Sequence, residues 1–459
     1  MSTQSTYQLT RHPVGTLREM WAISWPLMMG FLSGSLMFFA DRFILAHAST
    51  QAMNAAANAG LTVWMCLMLP LAVVETAEIF VGKANGQGSL HQVATPVWQM
   101  LWLTLMITPI FWIGGHLLGP LLFANTGNTE LELDYFITQL YFAPCLVGFM
   151  TVSSFFIGIG RMHIVTIAMI AGNLCNIALD CLFVFGYNMS SYGAALATGI
   201  SECLQLLFCL SCFLSKKNRS TYKTSNFKFD FSLLKEFLRI ALPSGIGRMN
   251  ELIAHVLFFR ILIMAGGYTM TCATVVQSLY LLMGFIIDGL AKGSAAVVSN
   301  IFGAEKLELL PKVVRSAMKL HSILFVCIFA LLFTYSDTIA TWFFSSDEAF
   351  LAENPDFLAT LRAAALWMSC YFLFDGYAWV MFGIFTAAKD TKFVMYVNAL
   401  WNWLGYILPV YLIISVYHYN ADSAWMCLAF YNAAIVLTYY TRYRLKIRTQ
   451  IATQEVAIA

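Results

Sequence analysis

The chain has 459 residues, 59% of them hydrophobic and only 11% charged, with a formal net charge of +2. Soluble domains carry about 25% charged residues, so a mean hydropathy of +0.71 excludes an ordinary soluble protein and places the chain in a bilayer. The near-neutral balance also argues against a nucleic-acid partner, because basic clusters beside membrane ends act as topology signals.

Crossing about 30 Å of hydrocarbon takes roughly 20 apolar residues. Stretches of that kind predict twelve transmembrane helices at 20–46, 54–80, 97–121, 134–158, 163–186, 192–215, 238–265, 269–300, 316–343, 357–388, 393–416 and 420–443. Helices satisfy every backbone polar group internally, as hydrocarbon requires, and the ten-residue alternation of a membrane barrel is missing. The first span continues well past a signal-peptide core, so it is read as a retained helix. Lys and Arg collect in the N-terminus, the loops following the sixth, eighth and tenth spans, and the C-terminus. The alternate loops at 47–53, 122–133, 187–191, 266–268, 344–356 and 417–419 contain neither residue. The positive-inside rule then puts both termini in the cytoplasm, which requires an even number of crossings.

The chain also repeats itself. "LREMWAISWP" at 17–26 returns as "LKEFLRIALP" at 234–243, and the same shift of 217 carries "VGKANGQGSL" at 81–90 onto "VSNIFGAEKL" at 298–307. Pro26 lands on Pro243 and Gly86 on Gly303. The expected class is an all-α integral membrane protein with two parallel six-helix repeats around a central cavity, an architecture common among secondary transporters. The expected organisation is a cytoplasmic N-terminus (1–19), a first bundle (20–215), a cytoplasmic linker (216–237) read as an ordinary polar loop, a second bundle (238–443) and a cytoplasmic tail (444–459).

Eight acids fall inside the predicted membrane region: Asp41, Glu75, Glu78, Asp180, Glu202, Glu251, Asp288 and Asp375. A mid-helix charge costs about 2.5–3.5 kcal/mol to insert, so together they weigh on the order of 20–28 kcal/mol before pairing or shallow placement reduces it. Asp41 and Asp180 share a level near the outer ends of helices 1 and 5. Asn176 lies one turn from Asp180 on the same face, and Thr198 can add a hydroxyl. Two carboxylates with neutral oxygens suit Na⁺ or a proton. Glu251 and Asp375 form a second candidate pair near the midplane, with Tyr371 one turn from Asp375. Structural readings stand beside these: Asp41 against Arg42, Asp288 paired with Lys292 on one helix face, and Glu75 with Glu78 at a solvated inner mouth, while Glu202 fits either kind of reading. Met37, Phe38, Phe156, Tyr280 and Tyr377 are candidate cavity residues, since thioethers and aromatic rings suit organic cations. The eleven Cys lack metal-ligand spacing and are read as apolar fillers.

"SWPLMMGFLSGSLMFFADRFILAH", "VGKANGQG", "GIGRMHIVTIAMIAGNLCNIALDCLFVFG" followed by "GAALAT", "LPSGIGRMNE" and "DGYAWVMFGIFTAAKD" together resemble the multidrug and toxic compound extrusion (MATE) transporters, in the family's order from about residue 15 to 445. The resemblance implies roles. Asp41 matches the helix-1 carboxylate of the family, and Asn176, Asp180 and Thr198 match the cation or proton site of one subgroup. Glu251 matches the helix-7 acid of NorM-type members, and Asp375, with Tyr371 and Asp390 around it, matches their helix-10 cation ligand. The chain departs from the family pattern at Phe156-Ile157, at Thr386-Ala387 and in Arg42 beside Asp41.

The expected function is a secondary active antiporter of the inner membrane, exporting organic, by expectation cationic, solutes in exchange for Na⁺ or H⁺ by alternating access. Na⁺ would bind at Glu251 and Asp375 or at Asp41 and Asp180. No cofactor is expected, the bilayer and small organic solutes are the partners, and a monomer suffices. A lipid-linked oligosaccharide flippase of the same superfamily is the first rival, although acids outnumber the intramembrane bases Arg248, Arg260 and Lys292. A membrane-embedded enzyme is the second, lacking HExxH, a nucleophile elbow or paired aspartate motifs.

Overall fold

The computed structural model describes residues 8–124, 126–265, 269–334, 356–419 and 421–447, and every regular element among them is helical. Helix α1 (Leu17–Ala48) starts at Thr16, whose side chain accepts from the Glu19 amide at 3.3 Å while Glu19 accepts from the Gly15 amide at 2.6 Å, a reciprocal N-terminal closure. A single residue, Ser49, separates α1 from α2 (Thr50–Glu75), and its hydroxyl caps the new helix at the Ala52 amide. The predicted outer loop at 47–53 is therefore almost wholly helical, because its Ala, Gln and Met residues favour helix. After a break at Thr76 the rod continues as α3 (Ala77–Gly86).

The first half is completed by α4 (Thr95–Leu122), α5 (Thr129–Gly158), α6 (Met162–Asp180), which runs into a π-helical turn at Cys181–Gly186, and α7 (Ser190–Phe213). Short α8 (Lys216–Tyr222) opens the linker. The rest of the linker is stapled to α4 rather than looping freely: the indoles of Trp98 and Trp102 donate to the Thr224 and Phe227 carbonyls at 2.9 and 3.0 Å, and Gln99 donates to the Lys228 carbonyl at 2.9 Å. The second half consists of α9 (Phe231–Ala265), α10 (Thr269–Gly303), α11 (Leu310–Thr334), α12 (Phe357–Ala387), α13 (Thr391–Leu400) with its helical continuation to Val416, and α14 (Ala421–Arg442). Asp230 accepts from the Leu233 amide at 3.0 Å and starts α9 seven residues earlier than the apolar pattern alone predicts. Residues 335–343 of the ninth predicted span, the loops at 266–268 and 344–355, and the tail from 448 lie outside the described residues.

These elements make twelve membrane-length rods. Ten segments are long and apolar enough to cross a bilayer by length and composition; α9, carrying Arg248, Glu251 and Arg260, and α14, with its Asn and Tyr residues, complete the set. The packing follows the repeat. In the first half α5 packs on α7, α4 on α5 and α1 on α6; in the second α12 packs on α14, α11 on α12 and α9 on α13. Between halves the contacts are reciprocal: α1 lies on α10, and α2 lies on α9. A Cβ on Gly86 would collide with the Asn300 carbonyl, and one on Gly303 would collide with the Lys83 carbonyl. Because 83 and 300, like 86 and 303, are related by the 217-residue shift, a pseudo-two-fold axis passes between the basic-loop ends of these rods. Only glycine permits that approach. One cysteine reading changes: Cys145 and Cys203 are bonded to each other and join α5 to α7, while the other described cysteines are free.

Candidate functional site

In the N-terminal half, α6 carries Asn173, Asn176 and Asp180 on one face, and the π-helical turn begins immediately after Asp180. Such turns interrupt regular backbone pairing and recur at functional positions. Asp180 is fully buried and its carboxylate meets that of Asp41 from α1. The Asn176 amide donates to the Thr198 hydroxyl of α7 at 3.2 Å, which in turn donates to the Ala194 carbonyl at 3.0 Å. All four sequence-predicted residues are thus brought together. Apart from the contact between the two carboxyls, both Asp180 oxygens, Asp41 Oδ1 and Asn176 Oδ1 have no hydrogen-bond partner. Bare buried acceptors on two adjacent acids are costly, and a proton or small cation among them relieves the cost. Among the described residues no ion pair joins Asp41 to Arg42, whose side chain is exposed. One turn below, Asn173 donates to Ser33 at 2.8 Å and accepts from Gln205 at 3.1 Å, which fixes α6 between α1 and α7.

In the C-terminal half, Glu251 of α9 and Asp375 of α12 line one cavity with Arg248, Trp379, Asn398, Tyr431, Asn432 and Tyr439. Its volume of about 20 Å³ is enough for one water or a bare monovalent ion. Asp375 differs from the N-half acids in being satisfied: Tyr280 donates to Oδ2 at 2.8 Å and Asn432 to Oδ1 at 3.0 Å. Tyr371 is buried and packs on the Tyr280 ring with centroids 5.3 Å apart, so it supports the acid through its neighbour. Among the described residues no three His, Cys, Asp or Glu side chains gather as a metal site, so each set depends on two acids and neutral oxygens.

The candidate cavity residues divide. Phe38 is exposed and its ring faces Trp64 at 6.3 Å, whereas Met37 is buried. Phe156 is fully buried in the core against Phe155, which removes it from any solute path in this conformation. Tyr280 is a hydrogen-bond donor to Asp375 rather than a bare cavity wall, and Tyr377 bonds Ser322 at 2.6 Å with its ring on His321.

Two further structural readings are overturned. Lys292 pairs with Glu75 at 3.1 Å, while Asp288, one turn away, is exposed. Glu75 also accepts from Arg248 at 2.7 Å, and its side chain is 17% exposed. It is therefore no solvated mouth: α3 carries the rod eleven residues beyond it, and Glu78 is buried too. Asp390 is remote from the Asp375 cavity in function, since it binds Arg442 at 3.2 Å and Lys446 at 2.9 Å in the loop after α12. Sequence reading missed Asn432, Asn398 and Tyr431. An amide inside an otherwise apolar span is the available signal for Asn432.

With two oxygen-rich acid sets, one in each parallel repeat of a twelve-helix bundle, the fold and sites define a membrane transporter. The MatE family model matches residues 26–182 and 243–411, one block in each repeat, and the chain belongs to this multidrug and toxic compound extrusion family, not to an enzyme family. It is 21% identical over 458 residues to the multidrug export protein MepA of Staphylococcus aureus (strain N315), covering 98% of this chain and 99% of that protein. Against the probable multidrug resistance protein NorM of Mannheimia succiniciproducens it is 22% identical over 452 residues, covering 92% and 93%. A Pyrococcus furiosus transporter of the MOP superfamily superposes with a TM-score of 0.86 at 20% identity, over 98% of this chain and 99% of that one, which supports the fold.

Proposed function

We propose that this protein is a secondary active antiporter that exports small organic cations across the cytoplasmic membrane in exchange for Na⁺ or H⁺, with both termini cytoplasmic and each six-helix bundle acting as a moving half of a monomer. The observation that carries the reading is the N-half cluster, where Asp41, Asp180 and Asn176 hold oxygens without partners. An inward-moving cation supplies the countercharge those oxygens lack. Because an ion shifts a conformational equilibrium only by its differential affinity for the two states, the cluster must change shape as the halves rock. Its residues come from three helices, α1, α6 and α7, which makes it sensitive to such movement. The C-half pair Glu251 and Asp375 bounds a space of ion size and is read as a second cation or proton stop.

The test is gradient-driven dye transport in everted vesicles, with Na⁺ and H⁺ gradients imposed separately. One gradient is expected to drive transport in the unaltered protein, and Asp41→Asn is expected to abolish it at normal expression. Equal transport by that variant overturns the assignment.

A further inference from the structure

Arg248 faces two ways. Its guanidinium donates to Glu75 of the opposite half at 2.7 Å, and it also lines the cavity of Glu251 and Asp375, lying 5.1 Å above the Trp379 ring in that cavity's wall. Lys292 completes a three-residue cluster by meeting the other Glu75 oxygen at 3.1 Å. Positions 75 and 292 are themselves related by the 217-residue shift, so an acid and a base occupy equivalent places on either side of the pseudo-two-fold axis.

The surroundings identify this level as the closed end of the molecule. Towards the basic loops, Asn85 donates to Asn300 Oδ1 at 2.7 Å, Asn300 donates to the Gly158 carbonyl at 2.8 Å, and the Phe80 and Phe237 rings pack across the halves with centroids 4.3 Å apart. The halves press together from the ion cluster towards the basic loops, where a Cβ on Gly86 or Gly303 would meet backbone of the opposite half.

We propose that Glu75, Arg248 and Lys292 form an ionic lock holding the halves together at the basic-loop end, and that Arg248 makes the lock responsive to a cation entering beside Glu251 and Asp375. The inference deepens the alternating-access reading above and rests on it. Separating the halves takes Glu75 from both bases at once and leaves partly buried charges uncompensated, which is costly. The charges around Arg248 are Glu75 on α2, Glu251 on its own helix, Asp288 and Lys292 on α10 and Asp375 on α12. A cation placed between Glu251 and Asp375 repels the guanidinium and neutralises acids that attract it. The pull on Arg248 changes on the cavity side while Glu75 moves with the other half. Arg248 is a positioning residue here, acting through the lock rather than on the solute.

The experiment measures the distance between spin labels attached through unnatural amino acids at exposed Gln87 and Lys306, the ends of the two rods that cross at the axis. Full-length protein in lipid is examined with and without Na⁺ and at neutral and acidic pH. The ratio of separated to closed ends is expected to rise at least fivefold in Glu75→Gln and Lys292→Met. Glu75→Lys combined with Lys292→Glu is expected to restore the closed population, since the pair re-forms with its charges exchanged. That double variant should no longer respond to Na⁺ or acid, because Arg248 then faces an acid on its own half. Distance distributions identical to those of the unaltered protein in all these variants overturn the lock. A response in Arg248→Met equal to the unaltered protein's overturns the role of Arg248. If the ends separate as expected while no imposed gradient drives transport, the lock stands and the antiport reading falls, so the two are judged apart.

Discussion

The two halves share a packing scheme yet treat their membrane acids in opposite ways. In the N-terminal half Asp41 and Asp180 meet with oxygens left bare, whereas in the C-terminal half Asp375 has a donor on each oxygen. A duplicated backbone therefore does not impose a duplicated electrostatic site. Bare acceptors need a mobile ligand, and satisfied ones are already held by protein. The largest expected effect follows directly: Asp180→Asn, like Asp41→Asn, lowers gradient-driven efflux by on the order of 100-fold, because a contact with a charged group is worth about 1.5–3 kcal/mol and two such contacts to the coupling ion vanish. Vesicle transport at matched expression measures it, and a loss under threefold would place coupling in the other half.

The C-half acid is expected to matter less. Asp375→Asn keeps a side chain of the same shape and can retain one of the two donors, so a loss of about tenfold is expected, equivalent to about 1.4 kcal/mol. A loss equal to that of Asp180→Asn would make the halves equal partners. Smaller again is Tyr280→Phe. Removing the hydroxyl leaves Asp375 Oδ2 without its donor, which should destabilise the protein by about 1–2 kcal/mol and change transport by no more than a few-fold; thermal unfolding in detergent separates the two effects.

Much of this is legible in the sequence. Twelve rods, the parallel repeat and the two acid sets follow from apolar length, loop charge and one constant shift. Asp41, Asn176, Asp180 and Thr198 stand out because polar groups on an apolar rod are costly in hydrocarbon unless a partner or a ligand meets them. The partner of Lys292 is hidden for a physical reason: spacing along one helix shows which neighbours are near, and Asp288 is near, but it says nothing of Glu75 arriving from the other half. The same limit hides Arg248 as a partner of Glu75. The staple of the linker to α4 was equally hidden, since indole donors to backbone carbonyls leave no mark in the pattern.

The smallest effect concerns the loops that close each half, where the comparison reverses. Three residues past the end of α5, Arg161 donates to Asn218 at 3.0 Å in the chain after α7. Three residues past the end of α12, the equivalent position is Asp390, which binds Arg442, the last residue of α14, and Lys446 just beyond it. The link between loop and last helix is kept while the charge changes sign. Burial alone would raise the Asp390 carboxyl, but hydrogen bonds from Lys446 and Arg442, with their charges, outweigh it and hold the group below its ordinary value. A carboxyl lowered in the folded state adds stability that is complete above its unfolded pKa of about 3.9 and is lost as pH falls through the folded value. Both bases are more than a third exposed, so solvent screening limits the pair to about 0.5–1 kcal/mol. Asp390→Asn should therefore lower thermal stability slightly and by a constant amount from pH 5 to 8, and the difference should close in acid below about pH 3. Arg161→Gln, tied to an amide rather than an acid, should show no such acid-dependent closing. If its stability difference titrates as that of Asp390→Asn does, the loops are held by something other than these two side chains.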